Sequence, residues 1–117
     1  MPDAVAAPTL TVDIKRCAEN TVVVYCHGRL VAGTTQVLTA AVCELIPGSK
    51  RIVLDLSDLK HTDSMGMGTL VRLYTSARRA GCNLELMHLS QQVRNLLGLA
   101  NLFSVFTVVG ENGIKWM

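Results

Sequence analysis

The sequence predicts a single α/β domain, with a mixed β-sheet of four to five strands covered by about three to four α-helices. Strand-type patterns alternate with helix-type patterns along the chain, the length of 117 residues suits one domain, and 50% of the residues are hydrophobic. A chain of this length can bury roughly two-thirds of the surface that it exposes when unfolded, which is enough for one core. We therefore expect a flexible lead-in over residues 1–8 and one domain over residues 9–117.

The first half of the chain predicts a hairpin followed by a strand, a helix and a second strand. Apolar and polar residues alternate over residues 10–15, and a β-branched run over residues 21–26 follows a short turn, which is typical of two antiparallel strands. Gly28 is expected to end the second strand. Helical spacing over residues 34–46, with a threonine hydroxyl as cap, then leads to a short apolar run at residues 52–56. Such a run indicates a central strand that pairs in parallel across the helix.

The second half continues the alternation. A polar loop is predicted over residues 58–63, and helical spacing then extends over Ser64–Arg79. Alternation over residues 82–86 predicts a fourth strand, Ser90 is placed to cap a short helix, and residues 105–109 form a last β-branched run. The order of these elements requires helices on the apolar faces of the sheet.

Composition excludes several classes of protein. Eleven basic residues against nine acidic residues give a net charge of +2, which is too even for a nucleic-acid-binding surface. The apolar runs are short, which argues against membrane insertion, and the N-terminal residues do not resemble a secretion signal, so we expect a cytoplasmic protein. Four scattered cysteines without a Cys-x-x-Cys pair predict reduced, structural thiols: Cys17, Cys26, Cys43 and Cys82.

The usual catalytic constellations are missing from the sequence. There is no Gly-x-x-x-x-Gly-Lys-Ser/Thr loop for a nucleotide and no Gly-x-Ser-x-Gly turn for a nucleophile. His27, His61 and His88 lie on separate predicted elements without metal-ligand spacing. His61 precedes Ser64 by three residues, but no third group to orient the imidazole and no oxyanion hole can be identified. The sequence therefore predicts no catalytic residue, no metal site and no cofactor, and it disfavours a small serine hydrolase.

Residues 52–68 are the most informative segment, because a buried strand leads there into a helix that begins at Asp63-Ser64. One interpretation is structural: Asp63 or Ser64 caps the helix, and the glycines allow tight packing on the sheet. The other is that Ser64 is phosphorylated, which places about −1.5 to −2 charges at the positive end of the helix. In that interpretation Gly66 and Gly68 leave room for a partner to approach.

At these residues the chain resembles the STAS domain, the family of anti-sigma factor antagonists. Its pattern is a strand of the form I-V-L-D-L, a short loop and D-S-x-G-x-G at a helix start, which residues 63–68 supply. Gly28-Arg29-Leu30 matches the Gly-x-Leu of the family, and residues 93–99 with Leu102-Phe103 resemble its third helix and the turn into its last strand. The likeness extends over about residues 9–109 and implies a STAS-like mixed sheet.

The resemblance implies a partner switch in a bacterial signalling pathway that controls transcription. Ser64 would be phosphorylated by a partner that is both anti-sigma factor and serine kinase; the unphosphorylated domain would bind that partner, and a serine phosphatase would reset it. ATP and Mg²⁺ would belong to the kinase, so the chain itself would need no cofactor, and self-association stays open. The implied partner-binding residues lie at the helix start and in the Gly-x-Leu loop: Asp63, Ser64, Met65, Gly66, Met67, Gly28, Arg29, Leu30 and Val31.

Three positions depart from the pattern of the family. Val31 and Arg29 stand where acidic residues are usual, and Met65 stands where Ser or Thr is usual, so the predicted surface becomes more basic and more apolar. We expect Met65 to be exposed, whereas Met67 fits either core or surface. The departures keep two phosphorylation-independent alternatives open: a STAS subunit of a lipid-transport ABC system and a scaffold in a stress-signalling complex.

Overall fold

The computed structural model describes residues 9–99 and 106–109. The predicted lead-in over residues 1–8, the turn at Leu102-Phe103 and the tail over residues 110–117 lie outside the described residues. The elements are β1 (Leu10–Cys17), β2 (Thr21–Leu30), α1 (Thr35–Leu45), a 3₁₀ turn (Ile46–Gly48), β3 (Arg51–Thr62), α2 (Ser64–Arg79), β4 (Asn83–Met87), α3 (Gln91–Leu99) and β5 (Thr107–Val109).

The five strands form one mixed sheet in the order β1-β2-β3-β4-β5. β1 and β2 form the predicted antiparallel hairpin, and all other neighbours pair in parallel. β3 is the central strand, as its apolar first half indicates, and the α1 connection between β2 and β3 supplies the expected parallel pairing. The α/β fold class predicted from the sequence is therefore confirmed.

β2 and β3 are both longer than predicted. Gly28 does not end β2: it takes a φ of +107° within the strand, and the strand continues to Leu30. The expected polar loop over residues 58–63 is instead the second half of β3, which pairs with this extension as far as Leu30 and Thr62. Two shifts of register, next to His27 and at Gly28, allow the two strands to stay paired. Long-range pairing thus outweighs the polar composition of the segment.

Helices α1 and α2 pack against each other, α1 on β1 and β2 and α2 on β3 and β4, while α3 packs on β3. The core consists of aliphatic side chains from every layer, among them Val24, Leu38, Leu54, Leu56, Leu70, Leu86 and Leu97, with Phe106. Cys26 and Cys82 are buried free thiols, and burial raises the pKa of Cys26 to about 12; Cys17 and Cys43 are exposed and also unpaired. Within the described residues, no helix is both long enough and apolar enough to cross a membrane.

Candidate functional site

Asp63 connects the start of α2 to the loop between β2 and α1. Its backbone is extended, and its Oδ1 accepts a hydrogen bond of 2.9 Å from the N–H of Gly66, which is the geometry of a helix N-cap. Its Oδ2 accepts a second bond of 3.1 Å from the N–H of Ala32. The backbone donors of Gly66 and Ala32 hold the pKa of Asp63 below its usual range. Asp63 is therefore an ionised cap that joins two segments 31 residues apart.

Ser64 is the first residue of α2 and has an exposed side chain. Of the two capping residues that the sequence offers, Asp63 carries the cap, and in the described part of the chain the Ser64 hydroxyl makes no hydrogen bond. The Gly66 N–H beside it is occupied by Asp63 and so is not available to a group on Ser64. Ser64 is thus accessible to solvent, and its hydroxyl does not contribute a hydrogen bond to the described fold.

Gly66 is buried, and the space where a Cβ would stand is filled by the chain itself. A Cβ built at this position lies closer than 3.0 Å to the carbonyl oxygen of Leu30 and to Oγ1 of Thr62. Thr62 Oγ1 donates a hydrogen bond of 2.7 Å to that same carbonyl. The expectation that Gly66 leaves room for a partner is therefore corrected: the glycine lets α2 approach the end of β2. A Cβ at Gly28 would likewise collide with the carbonyl of Thr9.

The loop that Asp63 contacts is held by Thr34. This residue occupies the N-cap position of α1, but its hydroxyl makes no capping bond, contrary to the sequence-based prediction. The hydroxyl instead donates to the carbonyl of Arg29 at 2.8 Å and accepts from the N–H of Val31 at 3.0 Å. Thr34 is only 4% exposed, so these bonds satisfy a buried polar group and fix the course of the loop.

Burial divides the nine predicted partner-binding residues into two groups. Arg29, Ser64 and Met65 are exposed, with 53% of Met65 accessible, and Asp63 and Gly28 are partly exposed. The remaining four are buried and so are not available to a partner: Leu30, Val31, Gly66 and Met67. The structure therefore makes Met67 a core residue, and it leaves Met65 as the apolar group at the surface.

Basic and acidic side chains both lie at the end of the β2–β3 pair, and they differ in whether they are paired. Arg29 pairs in register with His61 on β3, and no carboxylate of the described residues forms an ion pair with Arg29. Nδ1 of His61 lies 3.0 Å from Nε2 of Gln92 on α3. Lys60 is paired with Asp58, whose carboxylate lies 3.2 Å from its ammonium group. Arg29 is thus the free cation of this edge within the described part of the chain.

The Ser–His pair considered from the sequence is not formed. His61 is hydrogen bonded to Gln92, and the hydroxyl of Ser64 has no described partner. Among residues 9–99 and 106–109, no group of three or more His, Cys, Asp or Glu side chains could hold a metal ion.

The sequence did not identify two exposed residues in the segment that Asp63 contacts, the loop between β2 and α1 and the first turn of α1. Val37, in the first turn of α1, is 41% exposed, and Ala32 is exposed in the loop whose N–H binds Asp63. The sequence offers one signal for the exposure of Val37: α1 has enough other apolar residues to face the core without it. We refer to the exposed residues of the two segments that the Ala32–Asp63 hydrogen bond joins as the Ser64 corner: Arg29, Ala32, Val37, Ser64 and Met65.

Comparison with known proteins gives a consistent result. A family model described as the STAS domain matches residues 13–112. An anti-sigma factor antagonist from Mycobacterium paratuberculosis has a TM-score of 0.76 at 20% identity, covering 89% of each chain. The anti-sigma factor antagonist SpoIIAA in its unphosphorylated form has a TM-score of 0.72 at 18% identity, covering 87% of this chain and 90% of that one. The Bacillus SpoIIAA in its phosphorylated form has a TM-score of 0.68 at 17% identity, covering 87% and 94%. At these identities the solved structures establish the fold.

Proposed function

The chain belongs to the STAS domain family, and from this premise we propose that it is an anti-sigma factor antagonist whose partner binding is switched by phosphorylation of Ser64. In this proposal the partner is an anti-sigma factor with serine kinase activity, and a serine phosphatase reverses the modification. The chain itself supplies a surface and a phosphate acceptor, and the catalytic groups belong to the kinase. Two structural neighbours, SpoIIAA in its unphosphorylated and phosphorylated forms, make such a cycle the natural hypothesis for this fold.

The observation that carries the proposal is the freedom of Ser64. Its side chain is exposed and its hydroxyl makes no hydrogen bond to any described residue, because Asp63 caps α2 and Gly66 makes the close contact with β2. A kinase could therefore reach the hydroxyl without unfolding the helix. A phosphate is also electrostatically compatible with the first turn of a helix, where the macrodipole is positive.

The Ser64 corner has the apolar groups that a protein partner requires. Among residues 9–99 and 106, Met65 and Val37 are two of the four large hydrophobic residues that are strongly exposed, and each lies in the first turn of its helix. The hydrogen bond from the Ala32 N–H to Asp63 ties these two helix starts together. Methionine adapts its shape to a contact, and the exposed Arg29 adds a cation at the edge.

A phosphate on Ser64 would weaken binding through its charge. A contact that covers Met65 would also cover the neighbouring phosphate, and burying a dianion without a compensating cation costs several kcal/mol. A net penalty of about 3 kcal/mol would correspond to a roughly hundredfold weaker complex. Arg29 opposes this effect if its guanidinium reaches the phosphate, because the charge is then partly paired before the partner binds.

The test compares Ser64→Ala, Ser64→Glu and the wild type in capture of partners from a lysate of the source organism, followed by calorimetric titration of the captured kinase. We expect Ser64→Ala to bind like the unmodified protein and Ser64→Glu to bind at least tenfold more weakly. This loss is smaller than the one expected for the phosphate, because a carboxylate carries less charge. Ser76→Glu is the matched control, because it adds the same charge to an exposed serine on the same helix. Equal affinities for Ser64→Ala and Ser64→Glu would contradict the proposal.

A second candidate is supported by the same exposed residues. Met65, Val37 and Arg29 form a surface that could bind a partner without any phosphate cycle, as in a STAS subunit of a lipid-transport ABC system or in a stress-signalling scaffold. This candidate predicts that Met65→Asp abolishes capture of the partner, whereas Ser64→Ala and Ser64→Glu behave alike. The identity of the captured protein, an ABC ATPase or a serine kinase, then separates the two functions.

A further inference from the structure

β1 is an edge strand, and no other strand of the described residues lies on its outer side. It lies at the end of the sheet, and in the described part of the chain its only strand partner is β2. The N–H of Arg29 donates to the carbonyl of Thr9 at 2.9 Å, which fixes the phase of the antiparallel ladder. Odd-numbered residues of β1 therefore bond to β2, and the even-numbered residues direct their N–H and C=O groups outward. The outward-directed residues are Leu10, Val12, Ile14 and Arg16.

The side chains at the middle of β1 are exposed on both faces of the sheet. Ile14 is 46% exposed and shares its face with Val24, its partner in register. Asp13 and Lys15 lie on the opposite face, and the Asp13 side chain is 78% exposed. Oδ2 of Asp13 lies 2.9 Å from Nε2 of His27, which positions the carboxylate and leaves its second oxygen without a described partner.

We propose that a second copy of this chain pairs with this edge, β1 against β1 and antiparallel, with the twofold axis at Ile14. Ile14 then meets Ile14 of the second copy through outward-directed backbone groups, and the two sheets become one continuous sheet of ten strands. Because the axis lies at Ile14, Asp13 of each copy stands opposite Lys15 of the other. The interface therefore contains two opposite-charge cross-strand pairs around an apolar centre.

The charges select this register over its neighbours. An axis at residue 13 opposes Asp13 to Asp13, an axis at residue 15 opposes Lys15 to Lys15, and an axis at residue 16 opposes Arg16 to Arg16, all of which are like-charge pairs. An axis at Val12 places Asp13 opposite Thr11 and forms no charge pair. Charged residues on an edge strand usually discourage pairing. Here they disfavour the axes at residues 13, 15 and 16, and they favour the axis at Ile14.

Sedimentation of the full chain over a range of concentrations tests the proposal with charge-reversed variants. Lys15→Asp makes positions 13 and 15 both acidic and Asp13→Lys makes both basic, so each cross-strand pair between identical variants joins like charges. Each variant should therefore self-associate at least tenfold more weakly than the wild type. An equimolar mixture of the two variants should recover the dimer, because every cross-strand pair in it is again of opposite charge. Lys50→Asp, which reverses an exposed lysine outside β1, is the matched control and should dimerise normally.

Amide hydrogen exchange gives an independent measurement of the same contact. The N–H groups of Val12, Ile14 and Arg16 should exchange more slowly as the protein concentration rises, whereas those of Asp13 and Lys15 are already bonded to β2 and should change little. A wild type that sediments as a monomer up to about 1 mM would overturn the proposal, and so would a mixture of the two variants that associates no better than either alone. The test involves neither Ser64 nor its partner, so its outcome is independent of the proposed function.

Discussion

Replacement of Gly66 by alanine tests whether the first glycine after Asp63-Ser64 serves the fold. The change adds one methyl group where the carbonyl of Leu30 and Oγ1 of Thr62 already lie closer than 3.0 Å. One of these atoms is backbone and the other is a buried β-branched side chain, so neither can rotate away. Gly68 is the matched control, because a Cβ there meets only the flexible end of Arg72, at 3.7 Å.

The expected magnitude follows from three effects. Forcing a methyl group into a filled site costs roughly 1–3 kcal/mol. Displacing Thr62 from the Leu30 carbonyl costs about 1 kcal/mol more, since one buried hydrogen bond is lost. Both variants gain up to about 1 kcal/mol of helix propensity relative to glycine. Gly66→Ala should therefore be less stable than the wild type, and the two variants should differ by roughly 2–4 kcal/mol.

Urea denaturation followed by circular dichroism measures this difference directly, and thermal unfolding gives a second estimate. For a domain of this size 1 kcal/mol corresponds to about 4 °C, so the melting temperatures of Gly66→Ala and Gly68→Ala should be about 8–16 °C apart. If Gly66→Ala is as stable as Gly68→Ala, the inference that α2 approaches β2 closely at Gly66 is refuted.

Three further predictions concern the acidic residues and His27. Asp63→Ala should lower the free energy of unfolding by about 1–2 kcal/mol at neutral pH, because the cap on Gly66 is lost. Since the folded protein lowers the pKa of Asp63, the difference between variant and wild type should decrease as the pH falls below 3.8. An unchanged free energy of unfolding at pH 7 would refute the cap. Asp55→Ala should lower the free energy of unfolding by about 1–3 kcal/mol in chemical denaturation, because Asp55 is only 4% exposed and its carboxylate is hydrogen bonded to the Ser57 N–H and to His88. Asp58→Asn, at the surface, should lower it by less. Hydrogen bonds to Asp58 and Asp13 raise the pKa of His27 above 6.5. The wild type should therefore be more stable than His27→Gln below pH 6.5, and this difference should disappear as the pH rises past the raised pKa. A difference in thermal unfolding that stays constant from pH 6 to 9 would contradict this.

The order of elements could be predicted because local signals mark most boundaries. Asp63 at the start of α2, Ser90 at the start of α3, and Pro47-Gly48 after α1 are caps or breaks that act through neighbouring residues alone. The second half of β3 has no such signal. Its polar residues indicate a loop, and only pairing with β2, about 30 residues away, makes it a strand.

The candidate site could be located from the sequence but not resolved into surface and core. A motif gives the spacing of residues along the chain, whereas burial depends on which element lies above each residue. Val31 and Met67 are apolar residues next to exposed ones, and only the packing of the loop and of α2 on the sheet buries them. The hydrogen bond from Ala32 to Asp63 joins two segments that are 31 residues apart and that the sequence predicted as connections, so no local pattern could reveal it.

The arrangement at the start of α2 determines how a phosphate on Ser64 could act. From the sequence, the helix start offered free N–H groups to receive it, but Asp63 occupies the Gly66 N–H and is ionised at neutral pH. A phosphate on the next residue would therefore carry its charge beside a carboxylate, and the repulsion favours a phosphate that points away from the helix. In that orientation it lies on the Ser64 corner, where Met65 and Arg29 are exposed. Because the cap and the glycine contact do not involve Ser64, the modification would change the charge of the surface while the fold keeps its contacts.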